Sequence, residues 1–369
     1  MKKGKKRLIG FLVLCSVLLV SCGGYLYQTR TPEVPKIREE LDTTLTENKF
    51  YLSEENFKQT MEQEIEPYLA QYLEEGYVEN EGIELHYKKY QTGTAKKAIV
   101  ISHGFTENSE KYNEPIYYFV KAGFDVYIME HRGHGYSTRE VEDYSLVHVE
   151  SFDDYQSDFK KFMDEVVVPT NGDQPLYAFA HSMGGNIMAR FLEDCPEYFD
   201  AAILSSPMMQ IKTGGVPEPI VSMVSMSAKL IGNGTSYVFG YGPYVEQYNY
   251  EESSVKSEAR YEYCYSKEIA DERYKGNAPT FSWAGAAMKQ TRRILKEENL
   301  AKIQVPVLLF QAEEDHLVGD AGLYKFANGV SNVTFKYAKD SRHQIFTSEN
   351  KVMIPYYNTV FAFLESLEK

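Results

Sequence analysis

One serine stands at a turn between an apolar run and a helical run, where its hydroxyl would be available for chemistry. Residues 176–180 form an apolar run of strand length, a turn with the small residues Ala180, Gly184 and Gly185 carries Ser182, and a helical pattern covers 186–193. At such a strand–turn–helix junction the backbone N–H of Met183 points at the anion that a reacting serine creates. Ala180 stands where the usual G-x-S-x-G motif has its first glycine. The alternative is a serine N-cap on an ordinary helix.

A serine nucleophile needs a base, and the base needs an orienting acid, in positions that the fold brings together. Asp315 follows the apolar run 305–310, and His343 follows the shorter run 333–337. Both residues are predicted in loops beyond the carboxyl ends of strands, on the same sheet edge as Ser182, where open α/β sheets place their sites. The order Ser…Asp…His therefore predicts a catalytic triad.

Other acids compete for the role of the orienting acid. Glu313, Glu314 and Asp320 lie close to Asp315 in the chain, and all four could be solvated loop charges. The spacing between Asp315 and Val318 favours Asp315 as the orienting acid.

Four further histidines lie in the predicted sheet-edge loops: His103, His131, His134 and His181. They are too scattered for a metal site, so we expect them to fix loops by hydrogen bonds, and we expect no metal and no cofactor. The run Arg132-Gly133-His134-Gly135 matches no P-loop spacing and is interpreted as a structural turn.

The pattern of apolar runs predicts the fold that positions these residues. Strands alternate with helices over residues 76–206 and 301–369, which predicts an α/β fold with a doubly wound, mostly parallel sheet. A hairpin is predicted within 77–90. Residues 207–300 interrupt the alternation between two core strands, so we expect them to form a cap over the active site.

The residues before the core are predicted in two parts. Residues 23–52 have the composition of a polar tether, and apolar residues at helical spacing predict an N-terminal helical segment over 53–75. Ser53 is the expected N-cap, Pro67 is expected to kink the helix, and Gly76 is expected to end it.

The first 22 residues are typical of an export signal. A cluster of lysines and Arg7 precedes the apolar run Leu8–Val20, and residues 19–22 resemble the lipobox of bacterial lipoproteins. In that family the cysteine carries a diacylglycerol, so the resemblance implies a signal peptide over 1–22, a lipid anchor at Cys22 and an extracytoplasmic, membrane-tethered enzyme. An uncleaved signal anchor is the alternative.

Charge and cysteine content narrow the classes of partner. A net charge of -14 argues against nucleic-acid binding and against a polybasic grip on anionic lipid. Cys195 and Cys264 are expected to be free thiols, although export would permit a disulfide. The sequence indicates no oligomeric state.

Several spaced motifs together resemble the α/β-hydrolase family of monoacylglycerol lipases and bacterial lysophospholipases. They are His103-Gly104-Phe105, the run 132–137, the Ser182 turn, the run 314–318 and Arg342-His343, with 152–155, 260–261 and 279–283 matching the lysophospholipase branch. The resemblance implies Ser182 as nucleophile, His343 as base and Asp315 as acid. It also implies the backbone N–H of Phe105 as the second oxyanion donor beside that of Met183, and a single-chain lipid ester as substrate.

Other functions remain open at this level. A carboxylesterase for small esters would use the same triad with a different cap. An aminopeptidase-like S33 hydrolase would need acids in the cap for the substrate ammonium, and Glu251, Glu252, Glu258, Glu262 and Glu268 lie there. A surface lipoprotein without enzymatic activity fits least, because all three triad positions are filled.

One stretch of the predicted cap bears on the substrate class. Residues 220–230 have the spacing of a helix with a broad apolar face that includes Met223 and Met226. This face either packs on the core or lines a channel for an acyl chain, for which methionine offers an adaptable surface.

Overall fold

The computed structural model describes residues 33–368. The predicted signal peptide, its lipid-anchor residue Cys22 and the first part of the predicted tether lie outside the described residues. Within 33–368, no helix has both the length and the apolar character that crossing a membrane requires.

Within residues 33–368, nine strands form one mostly parallel sheet. They are β1 Arg38–Glu40, β2 Leu73–Asn80, β3 Ile83–Tyr90, β4 Lys97–Ser102, β5 Phe124–Met129, β6 Leu176–His181, β7 Ala201–Ser205, β8 Val307–Glu314 and β9 Val333–Arg342. Their order in the sheet is β1-β9-β8-β7-β6-β4-β5-β3-β2. Only the β2–β3 and β3–β5 pairs are antiparallel. The predicted fold class and the hairpin are confirmed.

Helices cover both faces of this sheet. They are α1 over residues 57–70, α2 Asn113–Lys121, α3 over residues 152–171, α4 Ser182–Asp194, α5 Glu218–Leu230, α6 Glu258–Ala270, α7 Phe281–Ile294, α8 Glu297–Leu300, α9 Asp320–Gly329 and α10 Asn350–Glu365. Successive strand residues point to opposite faces, so Val100 packs in the apolar cluster of α3, α4 and α9, and Ile99 in that of α1, α2 and α10. Parallel strands buried on both faces explain the continuous apolar runs.

The predicted cap occupies the connection between the neighbouring strands β7 and β8 and contains α5 to α8. In α5 the fully buried residues are Ser225 and Ala228, whereas Met226 and Leu230 are 59% and 80% exposed. Met226 therefore does not pack on the core, because this side of α5 faces solvent, and the channel wall stays a prediction.

The tether prediction is wrong for the described part of residues 23–52. Strand β1 joins the edge of the sheet, and Leu41, Tyr51 and Leu52 are buried. The Tyr51 hydroxyl donates a hydrogen bond to Asn358 Oδ1 at 2.7 Å in the last helix. A few buried side chains fix this stretch although its composition is polar.

The predicted helix over 53–75 is shorter than expected. It begins after Asn56 and ends at residue 70, because Leu73 starts β2, which pairs with β3 over eight residues. Gly76 lies within β2, where a Cβ atom would come within 2.8 Å of the Tyr87 hydroxyl. A π-helical turn, Met61–Ile65, precedes Pro67, which stands in the first turn of the α-helical segment that follows.

The turn around Gly133 is structural, as its spacing predicts. Gly133 and Gly135 have positive φ angles. The Arg132 guanidinium donates two hydrogen bonds to the buried carboxylate of Asp158 on α3, at 2.6 and 2.7 Å, and Asn80 of β2 donates a third at 2.8 Å. This buried ion pair ties the turn to both elements.

Candidate active site

Ser182 lies at the junction of β6 and α4, in a strained conformation. Its φ is +50°, a region that residues with a Cβ atom rarely adopt. A tight turn between strand and helix imposes this angle and directs the serine toward the carboxyl edge of the sheet. The residue is 8% exposed.

Positions 184 and 185 require glycine because the first turn of α4 packs closely against neighbouring chain. A Cβ atom on Gly184 would lie 2.1 Å from the carbonyl oxygen of Ser102, and one on Gly185 would lie 2.5 Å from Cβ of Pro207. Ala180, in contrast, is an interior residue of β6 and is fully buried without strain. The alanine at that motif position therefore suits the turn.

Asp315 and His343 form a buried acid–base pair. Asp315 Oδ2 lies 2.7 Å from His343 Nδ1, and Asp315 Oδ1 accepts hydrogen bonds from the backbone N–H groups of Leu317 and Val318, each at 2.9 Å. Burial works to raise the pKa of Asp315, but His343 and these two donors hold it below its ordinary value. The acid therefore stays ionised and fixes the orientation of the imidazole.

The His343 ring packs beside the residue that precedes Ser182. Nε2 is buried and has no hydrogen-bond partner among the described residues. The His343 ring lies 4.7 Å, centroid to centroid, from that of His181, the residue before Ser182. Within residues 33–368 no hydrogen bond joins Ser182 to His343. The contact between nucleophile and base is often long in an enzyme without substrate and shortens when substrate binds.

The competing acids point elsewhere. Glu314 is paired with Lys256 at 2.7 Å, and Glu313 accepts a hydrogen bond from the backbone N–H of Asp340 at 2.8 Å. Asp320 accepts a hydrogen bond from Gln311 at 2.9 Å. Asp315 is the acid that the fold brings against the imidazole.

The two predicted oxyanion donors lie at the start of α4 and in the loop after β4. Met183 is in the first turn of α4, where backbone N–H groups have no partner within the helix. Phe105 follows β4, and its ring packs on Trp283 of α7 with centroids 4.3 Å apart. This contact links the insert to the loop that carries the second predicted donor.

A buried carboxylate that the sequence analysis did not single out connects these loops. Glu107 accepts hydrogen bonds from the backbone N–H of Gly104 at 2.6 Å and from the side chain of Gln344 at 3.0 Å. Lys111 Nζ lies 3.0 Å away, and His181 Nε2 lies 3.6 Å away. The sequence offered one signal for Glu107: Lys111 follows it by four residues, a spacing typical of ion pairs on a helix.

Burial and charge fix the protonation states in this cluster. Burial alone would raise the pKa of Glu107, but the charge of Lys111 and the hydrogen bonds from Tyr112 and the Gly104 N–H hold it far below its ordinary value. Burial lowers the pKa of His181 to about 3, so this ring is neutral. Glu107 is therefore a carboxylate that joins the chain neighbours of Phe105, Ser182 and His343.

The remaining loop histidines make structural hydrogen bonds, as expected. His103 accepts from the backbone N–H of His131 at 2.9 Å, and His134 Nδ1 lies 3.0 Å from the carbonyl oxygen of Arg132. In the described chain no cluster of metal-ligating side chains could hold an ion. Cys195 and Cys264 are free, as expected.

Comparison with known proteins decides the family. Residues 93–350 match the family described as serine aminopeptidase, S33. The chain belongs to this family. The predicted kinship with lysophospholipases and monoacylglycerol lipases is confirmed, and the chain is a serine hydrolase.

Two curated relatives share most of their length with this chain. A probable lysophospholipase L2 of Haemophilus influenzae is 25% identical over 82% of this chain and 95% of its own length. Lysophospholipase L2 of Escherichia coli strain K12 is 30% identical over 64% of this chain and 68% of its own.

Solved structures share the fold. A soluble variant of monoglyceride lipase from Saccharomyces cerevisiae, in complex with a substrate analog, gives a TM-score of 0.62 at 19% identity, over 80% of this chain and 96% of that one. A thermostable carboxyl esterase from Bacillus coagulans gives 0.64 at 18% identity, over 80% and 98%.

We predict that Asp315→Asn retains the fold but lowers kcat by about 10⁴-fold, because an amide in place of the carboxylate holds the imidazole in the wrong tautomer. The measurement is steady-state hydrolysis of p-nitrophenyl butyrate beside a melting curve. Glu314→Gln is the matched control in the same loop and should keep kcat within about twofold, since Glu314 contacts Lys256 and not His343. A crippled Glu314→Gln protein with an active Asp315→Asn protein would contradict the assignment.

Proposed function

We propose that this protein hydrolyses single-chain lipid esters, a lysophospholipid or a monoacylglycerol, through an acyl-Ser182 intermediate. The observation that carries the chemistry is the buried His343: its Nδ1 lies 2.7 Å from Asp315 Oδ2, its Nε2 has no partner in the described chain, and its ring packs on that of His181, the residue before Ser182. The substrate class rests on the similarity to the two lysophospholipases L2.

In the proposed reaction each group has one role. His343 Nε2 removes the proton of the Ser182 hydroxyl as its oxygen attacks the ester carbonyl carbon. The N–H groups of Met183 and Phe105 stabilise the resulting oxyanion. The bond to the alcohol then breaks, and the alcohol leaves with the proton from His343. In the second half of the reaction His343 takes a proton from water, and the water oxygen attacks the acyl carbon. The bond to Ser182 then breaks, the fatty acid is released, and Ser182 regains the proton from His343.

The surface of the insert supports an amphiphilic substrate. Elsewhere in the described chain large apolar side chains are mostly buried, but over residues 226–245 of the insert several are exposed. They are Met226, Leu230, Ile231, Phe239, Tyr241 and Val245. Exposed apolar patches on soluble domains are typical of surfaces that meet a lipid or a protein partner. A single-chain lipid could approach the active site along such a surface.

The family description raises aminopeptidase activity as a second candidate. That activity would require cap acids that converge on the site to bind an ammonium group. Of the five cap acids, Glu251, Glu252, Glu258 and Glu262 are exposed, whereas Glu268 is half-buried beside Tyr244 and burial raises its pKa. Glu252 contacts Asn249 and Glu258 contacts Tyr248, both within the insert. These contacts favour the ester over the amide substrate.

A hydrolysis panel tests the substrate class. We expect kcat/KM for lysophosphatidylcholine or monooleoylglycerol to exceed that for p-nitrophenyl acetate by more than about tenfold, because each buried methylene contributes about 0.8 kcal/mol. Ser182→Ala should abolish all turnover and labelling by a fluorophosphonate probe in a folded protein. A preference for aminoacyl p-nitroanilides would support the peptidase instead, and equal rates on short and long esters would support a carboxylesterase.

We further propose that the enzyme is tethered outside the cytoplasm by a diacylglycerol on Cys22. The support is the sequence pattern of a charged start, an apolar run and Leu19-Val20-Ser21-Cys22. Two acyl chains give the stable anchoring that one does not.

We predict that mass spectrometry of the protein from its native membranes finds an N-terminal Cys22 bearing lipid, and that Cys22→Ala abolishes this processing. Ser21→Ala is the matched control, because a small residue remains before the cysteine. An unmodified chain that still begins at Met1 would contradict the anchor and favour an uncleaved signal segment.

A further inference from the structure

Part of the chain that precedes the family match contacts the insert directly. We name residues 54–70 the clasp; it consists of Glu54 to Asn56 and helix α1. Glu54 Oε2 accepts a hydrogen bond from the Ser257 hydroxyl at 2.7 Å, immediately before α6. The Phe57 ring meets the edge of the Tyr263 ring with centroids 5.9 Å apart. The Tyr263 hydroxyl donates to Glu66 at 2.8 Å.

A buried arginine of α6 joins the clasp to the core. Arg260 is 1% exposed, and its guanidinium makes hydrogen bonds to both carboxylate oxygens of Glu114 on α2. It also donates to Asn350 Oδ1 at 2.9 Å and lies over the Phe57 ring at 5.0 Å. Glu54 accepts the backbone N–H of the same Asn350 at 2.8 Å. The clasp, α6 and the start of α10 therefore form one connected cluster.

The chain just before Ser257 is bonded to both neighbours of the catalytic histidine. The Arg342 guanidinium donates to the carbonyl oxygens of Tyr250, Ser253 and Val255 at 2.9, 3.3 and 3.1 Å. The three carbonyls belong to one short turn of the insert, so the guanidinium fixes its shape.

On the other side of His343, the backbone N–H of Gln344 donates to the carbonyl oxygen of Ser254 at 3.0 Å. Residues 250–255 thus hold His343 by the residue before it and the residue after it. The segment lies between two fixed regions, the His343 loop and the clasp.

We propose that the clasp is a positioning device for the catalytic base. Glu54 and Phe57 fix the start of α6, α6 fixes residues 250–255, and these residues fix the backbone on either side of His343. This role rests on the proposed chemistry of Ser182 and His343. The clasp lies outside residues 93–350, which match the family. In this proposal the N-terminal region therefore contributes to catalysis and does not serve only to tether the enzyme.

The test compares two changes in the same N-terminal region. Glu54→Ala removes the acceptor for Ser257 and for the Asn350 N–H. The matched control, Tyr51→Phe, removes the buried hydrogen bond to Asn358, which lies on α10 and away from the insert. Both variants should lose stability, so a melting curve sets a temperature at which both are folded.

We predict that Glu54→Ala lowers kcat on p-nitrophenyl butyrate by about tenfold or more with KM unchanged, because a displacement of about 1 Å costs on the order of 100-fold in rate. Glu54→Gln keeps one acceptor oxygen and should fall between Glu54→Ala and wild type. Combined with Arg342→Gln, Glu54→Ala should add little further loss, since both act on the same segment. Tyr51→Phe should keep kcat within about twofold.

Hydrogen exchange of the peptide covering residues 338–346 gives a readout that needs no substrate. Exchange should be faster in Glu54→Ala and unchanged in Tyr51→Phe. If Glu54→Ala loses stability yet keeps wild-type kcat and wild-type exchange, the clasp only stabilises the fold and the proposal is overturned. If the hydrolysis panel shows no preference for lipid esters, this test still applies, because it measures turnover of p-nitrophenyl butyrate, which has no lipid head-group.

Discussion

The arrangement of the active site depends on one buried carboxylate. Glu107 bonds to the loop of Phe105, lies against His181 beside the nucleophile and accepts from Gln344 beside the base. A buried charge is costly unless it is paired and hydrogen-bonded, so each partner is fixed in place by the need to satisfy it. The same interaction that stabilises the ionised Glu107 thereby sets the relative positions of three loops that come from distant parts of the chain.

Close backbone packing supplies the second constraint. The backbone of Ser182 is in the left-handed region, and Gly184 approaches the Ser102 carbonyl closely. Helix α4 therefore lies directly against the end of β4, and Phe105 follows that strand. The proposed nucleophile and a proposed oxyanion donor are therefore fixed by the same contact. The insert adds a third support, because Trp283 packs on Phe105 and residues 250–255 bind the chain on both sides of His343. The active site is built jointly by the sheet edge and the insert.

The sequence was sufficient to predict the sheet, the hairpin and the loops of the triad, because buried parallel strands are continuous apolar runs and the order Ser182, Asp315, His343 follows the chain. It was insufficient for the N-terminal region. Strand β1 has three residues, too few for a periodicity, and exists only because β9 offers a partner. Glu107 was missed for a similar reason, since its partner Gln344 lies 237 residues further along the chain.

The most direct test of this account is kcat and stability of Glu107→Gln as a function of pH. Because the folded protein holds the pKa of Glu107 below its ordinary value, its contribution to stability is present above about pH 4.5 and is lost as the pH falls below it. The account predicts a Tm deficit for Glu107→Gln at pH 7 that shrinks below about pH 4.5, and a loss of kcat of at least about tenfold at pH 7 in the folded variant. Wild-type kcat together with a Tm deficit independent of pH would contradict it.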